Sequence, residues 1–195
     1  VAGRRQELGY PLRWYSIPNL WRYERPQRGR LREHWQLNID LFGVTTIDAE
    51  LEMITLIDAI YRNYGATQDM YNVQINSRQL INFVLDDYLQ LEAAQAHAVS
   101  KLIDRMHKME RNDFIGKLDS VLSPEQRAAG AIERLLAVLD CPTLGDLPAD
   151  VASQPAAVAV AELIKQLQAS GIMNVCYDAT LMRGFDYYTG IVFEV

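Results

Sequence analysis

The sequence predicts an α+β fold: an antiparallel sheet flanked by helices, with a mostly helical insertion. Three observations carry that prediction. Residues 20–43 alternate polar and apolar side chains with the two-residue period of strands, residues 48–65 change to a helical period, and a helical block from about 80 to 171 is bracketed by strand-like pieces. A block bracketed in this way reads as an insertion into one domain rather than a second domain in tandem. The expected organisation is 1–79 as the first part of the core, 80–171 as the insertion, and 172–195 as the second part, returning to the first sheet.

Residues 1–9 read as the tail of a helix closed near Gly9-Tyr10-Pro11, and Leu12 to Ile17 lead into a strand that Pro18 interrupts. Leu20 to Glu24 and His34 to Phe42 then form a two-strand unit. Its even positions Arg22, Glu24, His34, Gln36, Asn38 and Asp40 share one face, while Trp21, Tyr23, Trp35, Leu37, Ile39 and Leu41 share the other. In DAELEMITLIDAIYRNYG, residues Ile54, Ile57, Ile60, Tyr61 and Tyr64 make a helical stripe, with Asp48 as N-cap and Gly65 as the closing residue. MYNVQIN alternates as a short strand. From Ser77 to Met109 a mostly helical stretch carries Leu80, Phe83, Val84, Leu102, Ile103 and Met106 at helical spacings. Ser123-Pro124-Glu125-Gln126 is a capping box with proline just inside it, followed by Ile132, Leu135, Leu136 and Leu139 on one side. Pro142, Gly145 and Pro148 break the pattern, and Pro155 opens a last helix that buries Val160, Leu163, Ile164 and Leu167 before Gly171 ends it.

Composition narrows the function classes. With 195 residues, 49% of them hydrophobic, the chain can bury a sizeable core. A formal net charge of −6 argues against a nonspecific grip on a nucleic acid over the whole surface, so any polyanion must be met by a local basic patch. Cys141 and Cys176 have no paired spacing, which excludes a zinc knuckle or a disulfide framework and fits a reducing, cytoplasmic setting. No uninterrupted apolar run is long enough to span a bilayer, so no membrane partner is expected. His97 and His107 are not spaced to share one helix face and HExxH is absent, so no metal site is predicted on the protein. A start without methionine and an end on the strand-like FEV suggest a piece of a longer protein.

Two clusters carry chemistry. Between the strands of the hairpin lies RPQRGRLR, whose four arginines read either as a mobile flap over an anion or as a solvated hairpin tip. Planar guanidinium forks suit triphosphate oxygens. The run Gln36, Asn38, Asp40 beside Arg22 and Glu24 exceeds what a structural strand needs, which favours a site. In VCYDATLMRGFDYYTGIVFEV, Arg183 sits on a tight corner ahead of Asp186 and the pair Tyr187-Tyr188. Phenols and carboxylates can hold an imidazole or ammonium, and Arg183 can neutralise a phosphate. The tyrosines read as pocket lining or as strand core. Lys101, Arg105, Lys108 and Arg111 fall near one helix face, as a nucleic-acid contact or a solvated surface.

Together the clusters resemble the histidyl-tRNA synthetases, a class II aminoacyl-tRNA synthetase family. RYERPQRGRLREHWQ is similar to the family's ATP-binding motif 2, and LMRGFDYYTGIVFE to its histidine-binding segment, usually written RGLDYYTG; INSR and LIDRMHKM resemble the start of its inserted domain. The resemblance implies a class II antiparallel sheet and ATP-dependent activation of L-histidine to histidyl-adenylate, followed by transfer to tRNA-His. It implies that Arg22 holds the α-phosphate and the histidine carboxylate, Glu24 the adenine edge and Arg30 the outer phosphates. It places Gln36 and Asp40 on bound histidine, Arg183 on the transition-state phosphate, and Tyr187 and Tyr188 around the histidine side chain. His34 stands where the family has an adenine-stacking phenylalanine, Asp40 where many bacterial members have glutamate, and Phe185 where leucine is usual. Mg2+ accompanies the outer phosphates, and the intact protein is expected to be a homodimer. The competing class is a noncatalytic, synthetase-like regulatory subunit of ATP phosphoribosyltransferase, which retention of Arg22, Glu24, Arg30, Gln36 and Arg183 disfavours.

Overall fold

The computed structural model describes residues 2–4, 6–23, 25, 27–182 and 189–195, and the chain divides into two units, Val1–Ala49 and Glu50–Val195. The mixed architecture expected from the sequence is present: antiparallel ladders, flanking helices and a long helical stretch between strands.

In the first unit, β1 (Leu12–Ser16) pairs antiparallel with β4 (Asn38–Phe42), and β2 (Asn19–Trp21) pairs antiparallel with β3 (Glu33–Trp35). The sequence suggested one strand from His34 to Phe42, but the ladder breaks at Gln36-Leu37. Proline has no N–H to donate, so the strand carrying Ile17-Pro18 cannot pair there and its partner lapses opposite it. A single bond crosses the gap, from Gln36 N–H to the Pro18 carbonyl at 3.1 Å. The expected helix tail over 1–9 reduces to the one-turn 3-10 helix Ala2–Arg4. Gly3 and Gly9 weaken a helix that has no apolar repeat to dock. Gly43, at φ +84°, ends β4 where a Cβ would come within 2.6 Å of the Tyr10 ring, so only glycine fits the backbone there.

The fully buried apolar side chains among the described residues all lie in the second unit, beginning at Ile54. β5 (Val73–Ser77) is its central strand, pairing parallel with β6 (Val175–Tyr177) and antiparallel with β7 (Ile191–Glu194). A parallel pair needs a crossover, and the helices between β5 and β6 supply it. The segment after Met173 therefore joins β5, whereas β1 to β4 form ladders of their own.

α1 (Asp48–Asn63) ends as its glycine predicts. Gly65 at φ +85° donates to the Arg62 carbonyl, and Ala66 N–H returns to Tyr61, the paired bonds of a Schellman cap. Its apolar stripe is only partly core. Ile54 is fully buried and Ile57 and Ile60 are half-buried, but Tyr61 stacks on Tyr71 with ring centroids 4.7 Å apart and Tyr64 is exposed past the helix end. The stripe reading missed Asp58, which is 6% exposed; it accepts Tyr71 Oη–H at 2.5 Å and pairs with Arg62 Nε at 2.7 Å. Burial, followed by the Asp58 bond, pushes the Tyr71 phenol above its usual pKa.

Beyond β5 run α2 (Arg78–Phe83), a π-helical turn Val84–Tyr88, α3 (Ala93–Ile103), α4 (Arg111–Val121), α5 (Pro124–Ala128), α6 (Ala131–Leu139), α7 (Ala149–Ala152) and α8 (Pro155–Ala169). The Ser123 capping box forms as predicted, with Gln126 N–H on Ser123 Oγ and Ser123 N–H on Gln126 Oε1. The helix it starts is short, because Gly130 at φ +74° ends the run and a new helix carries Leu135 and Leu139 into the core. α8 packs on β5 and β6 and closes with a second Schellman cap at Gly171. Lys101, Arg105, Lys108 and Arg111 do not share one helix. α3 stops at Ile103, so Lys101, Lys108 and Arg111 fall on three successive elements with Arg105 in the turn after the first, and Arg111 is committed to Asp140 at 2.9 Å.

Truncating Leu163, fully buried in α8 against the sheet, is expected to cost about 2–5 kcal/mol in urea denaturation. Tyr71→Phe, which removes a donor from buried Asp58, is expected to cost only about 1–2 kcal/mol.

Candidate functional site

The polar side of the hairpin is organised by Gln36, at the break between the two ribbons. Arg22 Nη2 donates to its Oε1 at 3.1 Å, and its Nε2 donates to Asn38 Oδ1 at 2.5 Å. An amide has an acceptor and donors on opposite sides, so one side chain can orient a guanidinium and a second amide together. Arg22 leaves β2 with its backbone N–H on the Arg32 carbonyl at 2.7 Å, so both ends of the residue are held.

Directly opposed residues of an antiparallel pair point to the same side. Leu20 opposes His34 and the ladder continues toward Arg22, whereas Asn19 opposes Trp35. His34, half-buried, therefore shares the Arg22 side, and Trp35 faces away beside Trp21, whose Nε1–H donates to Asn19 Oδ1 at 2.9 Å. Asp40 is exposed and opposes Trp14, and Asn38 opposes Ser16. Trp14 and Ser16 thus belong to the polar side, and the sequence reading missed both. The even parity of β1 was the available signal, hidden because Pro18 obscures where the count restarts.

The arginine-rich loop closes as a two-residue turn. Arg30 N–H donates to the Gln27 carbonyl at 2.9 Å and Gln27 N–H returns at 3.4 Å, with Gly29 at φ +76°. Arg25, Arg28, Arg30 and Arg32 are all exposed around it, and the Arg32 guanidinium lies 5.4 Å from the Tyr23 ring centroid. Short-range charge concentration of this kind suits a multiply charged anion.

Glu24, Arg183, Tyr187 and Tyr188 lie outside the described residues. The chain on either side of 183–188 is described, and three consecutive residues at the end of β5 hold it. Asn76, fully buried, donates through Nδ2 to the carbonyls of Ala179 and Leu181 at 3.2 Å each, while its Oδ1 accepts Ser77 N–H at 2.8 Å. Ser77 pairs with Ile191, and Arg78 N–H donates to the Gly190 carbonyl at 2.9 Å. Arg78 also reaches Met182 Sδ and Ser100 Oγ through Nη1. Alternation along β5 put Asn76 on the same outward side as Gln74, so the sequence did not mark it as a buried polar group that must find partners.

Other chemistries find less support. Burial, aided by nearby carboxylates, pushes the thiols of Cys141 and Cys176 upward, away from nucleophilic thiolate. Among the described residues no group of three or more His, Cys, Asp or Glu side chains converges on a metal position. No helix among them is long and apolar enough to cross a membrane.

The family pattern described as "Histidyl-tRNA synthetase" matches residues 1–195. The chain belongs to the histidyl-tRNA synthetase family. It is 38% identical over 197 aligned residues to the histidine–tRNA ligase of Leptospira biflexa serovar Patoc, covering 100% of this chain and 44% of that protein. It is 33% identical over 196 residues to the chloroplastic/mitochondrial histidine–tRNA ligase of Arabidopsis thaliana, covering 100% of this chain and 39% of the relative. The chain thus spans less than half the length of these curated relatives. Among solved structures, histidyl-tRNA synthetase from Nostoc sp. PCC 7120 superimposes with a TM-score of 0.75 at 20% identity, over 99% of this chain and 46% of that one. A Bacillus halodurans protein titled ATP phosphoribosyltransferase regulatory subunit/histidyl-tRNA synthetase superimposes with a TM-score of 0.78 at 24% identity, over 99% and 50%. At these identities the likeness establishes the class II synthetase fold.

Asn76→Asp is expected to destabilise the protein by about 2 kcal/mol or more, because it turns a two-donor amide into an acceptor facing two buried carbonyls. Chemical denaturation against Asn76→Ala, which loses the bonds without adding the opposed acceptor, separates these two contributions.

Proposed function

We propose that this synthetase-family chain is the histidine-activating part of a histidine–tRNA ligase, with 80–171 an inserted helical domain between core pieces 1–79 and 172–195. The observation that carries the reading is the bonded row Arg22, Gln36 and Asn38 beside four exposed arginines at the hairpin tip. A guanidinium oriented by a neutral amide keeps its charge for a ligand, which a carboxylate partner would neutralise.

In this proposal a histidine carboxylate oxygen attacks the α-phosphorus of ATP and pyrophosphate leaves. No side chain becomes covalently attached. Arg22 binds the α-phosphate and Arg183 stabilises charge on its equatorial oxygens, while Arg30 holds the outer phosphates and Glu24 the adenine edge. His34, on the Arg22 side by register, lies against the purine. Gln36 and Asp40 take the amino acid, Asp40 through the α-ammonium, and Tyr187 and Tyr188 bind its imidazole. Transfer to tRNA-His follows, in a homodimeric protein. Mg2+ bound with ATP would supply charge neutralisation on the outer phosphates beside Arg30.

The test is histidine-dependent pyrophosphate exchange by the full-length protein. Arg183→Ala is expected to slow exchange by roughly 10²-fold or more with smaller changes in the dissociation constants of ATP and histidine, and Arg183→Lys to recover only part of the rate. Near-normal exchange by folded Arg183→Ala would remove it from the chemistry. A wild-type protein without exchange would point instead to the regulatory-subunit reading.

Histidine affinity is expected to fall in both Asp40→Ala and Tyr188→Phe, measured by calorimetry on the full-length protein. Unchanged affinity in both variants would refute these binding roles.

A further inference from the structure

One hydrogen-bonded chain lies outside every role assigned so far. His107 stands on the 3-10 turn Met106–Lys108 between α3 and α4, and its Nε2 is 2.7 Å from Thr180 Oγ1. Thr180 Oγ1 donates to Asp178 Oδ1 at 2.6 Å, and the same oxygen accepts Thr180 N–H at 2.8 Å. The chemistry sets the direction of each bond. A carboxylate only accepts and a threonine hydroxyl carries one proton, so once that proton goes to Asp178 the imidazole must be the donor, through Nε2–H. Donation into a hydroxyl that itself donates to a carboxylate polarises both bonds.

His107 is exposed, so core packing does not account for where its ring sits. The short stretch it touches is fastened from the other side as well, by the buried Asn76 amide on the carbonyls of Ala179 and Leu181. Residues 178–182 are therefore held between a buried amide and a surface imidazole, and Thr180 stands three positions ahead of Arg183.

We propose that His107 is a positioning residue for histidine activation, acting through Thr180 and Asp178 on the chain that leads into Arg183. The role rests on the function proposed above. Orientation is demanding in a reaction whose protein contribution is electrostatic, since a small misplacement of a charged donor costs rate without abolishing binding.

Two measurements on the full-length protein test it. Hydrogen exchange without substrates reads the anchor directly: His107→Ala is expected to speed exchange at residues 178–182 and leave α8 unchanged, and unaltered exchange there would overturn the proposal whatever the activity. In pyrophosphate exchange, His107→Ala and the isosteric Thr180→Val are each expected to lower kcat roughly fivefold, the scale of one hydrogen bond, with KM for histidine and for ATP nearly unchanged. The double variant should be no worse than either single one, and His107→Gln, which keeps a donor, should recover most of the loss. Multiplying effects, a loss that appears in KM rather than in kcat, or no loss at all would each overturn the role. Wild-type protein with no histidine-dependent exchange would overturn the underlying function, and needs no variant to do so.

Discussion

A buried amide must find partners for its donors and its acceptor, and in the second unit Asn76 does so with backbone that is remote in sequence. Its Nδ2 holds two carbonyls of the 179–181 stretch while Oδ1 takes the next N–H of its own strand. The placement of β6 and β7 on either side of β5 is consistent with that requirement, since both ends of the intervening chain must return to the same strand end. The helical crossover is free to be long because it has only to deliver the chain to the start of β6, beside Val73 at the opposite end of β5.

The first unit is governed by an absence. Pro18 has no N–H, so the ribbon lapses opposite it, and Gln36 fills the lapse with its backbone on the Pro18 carbonyl and its side chain between Arg22 and Asn38. A continuous strand would have spaced these polar groups evenly along one side. The break draws three of them into direct contact. Trp21, Tyr23 and Trp35 stay exposed, and the described residues of this unit include no fully buried side chain. Its order comes from ladders and side-chain hydrogen bonds rather than from a core.

The family resemblance lay in contiguous residues, which is why it could be read early. RYERPQRGRLREHWQ and LMRGFDYYTGIVFE are runs along one chain, and spacing within a run is preserved in the sequence. Trp14, Ser16, Asn76 and His107 were missed because each earns its place through residues distant in sequence. Asp58 was missed for a related reason: helical periodicity assigned its neighbours to a stripe, and a carboxylate at that position reads as solvent-facing until Tyr71 and Arg62 are seen to bond it.

Alone, the sequence determined what local chemistry decides: the glycine caps of α1 and α8, the Ser123 capping box, the polar parity of the hairpin and the alternation of Val73, Gln74 and Ile75 at the start of β5. Each depends on residues within a few positions, where backbone geometry alone sets who can reach whom. Tertiary structure decided the split of the His34 to Phe42 strand, the burial of Asp58 and the His107–Thr180–Asp178 chain. In most of these a polar group or a strand answers to a partner brought from elsewhere by the path of the chain, and hydrophobic periodicity carries no information about that path.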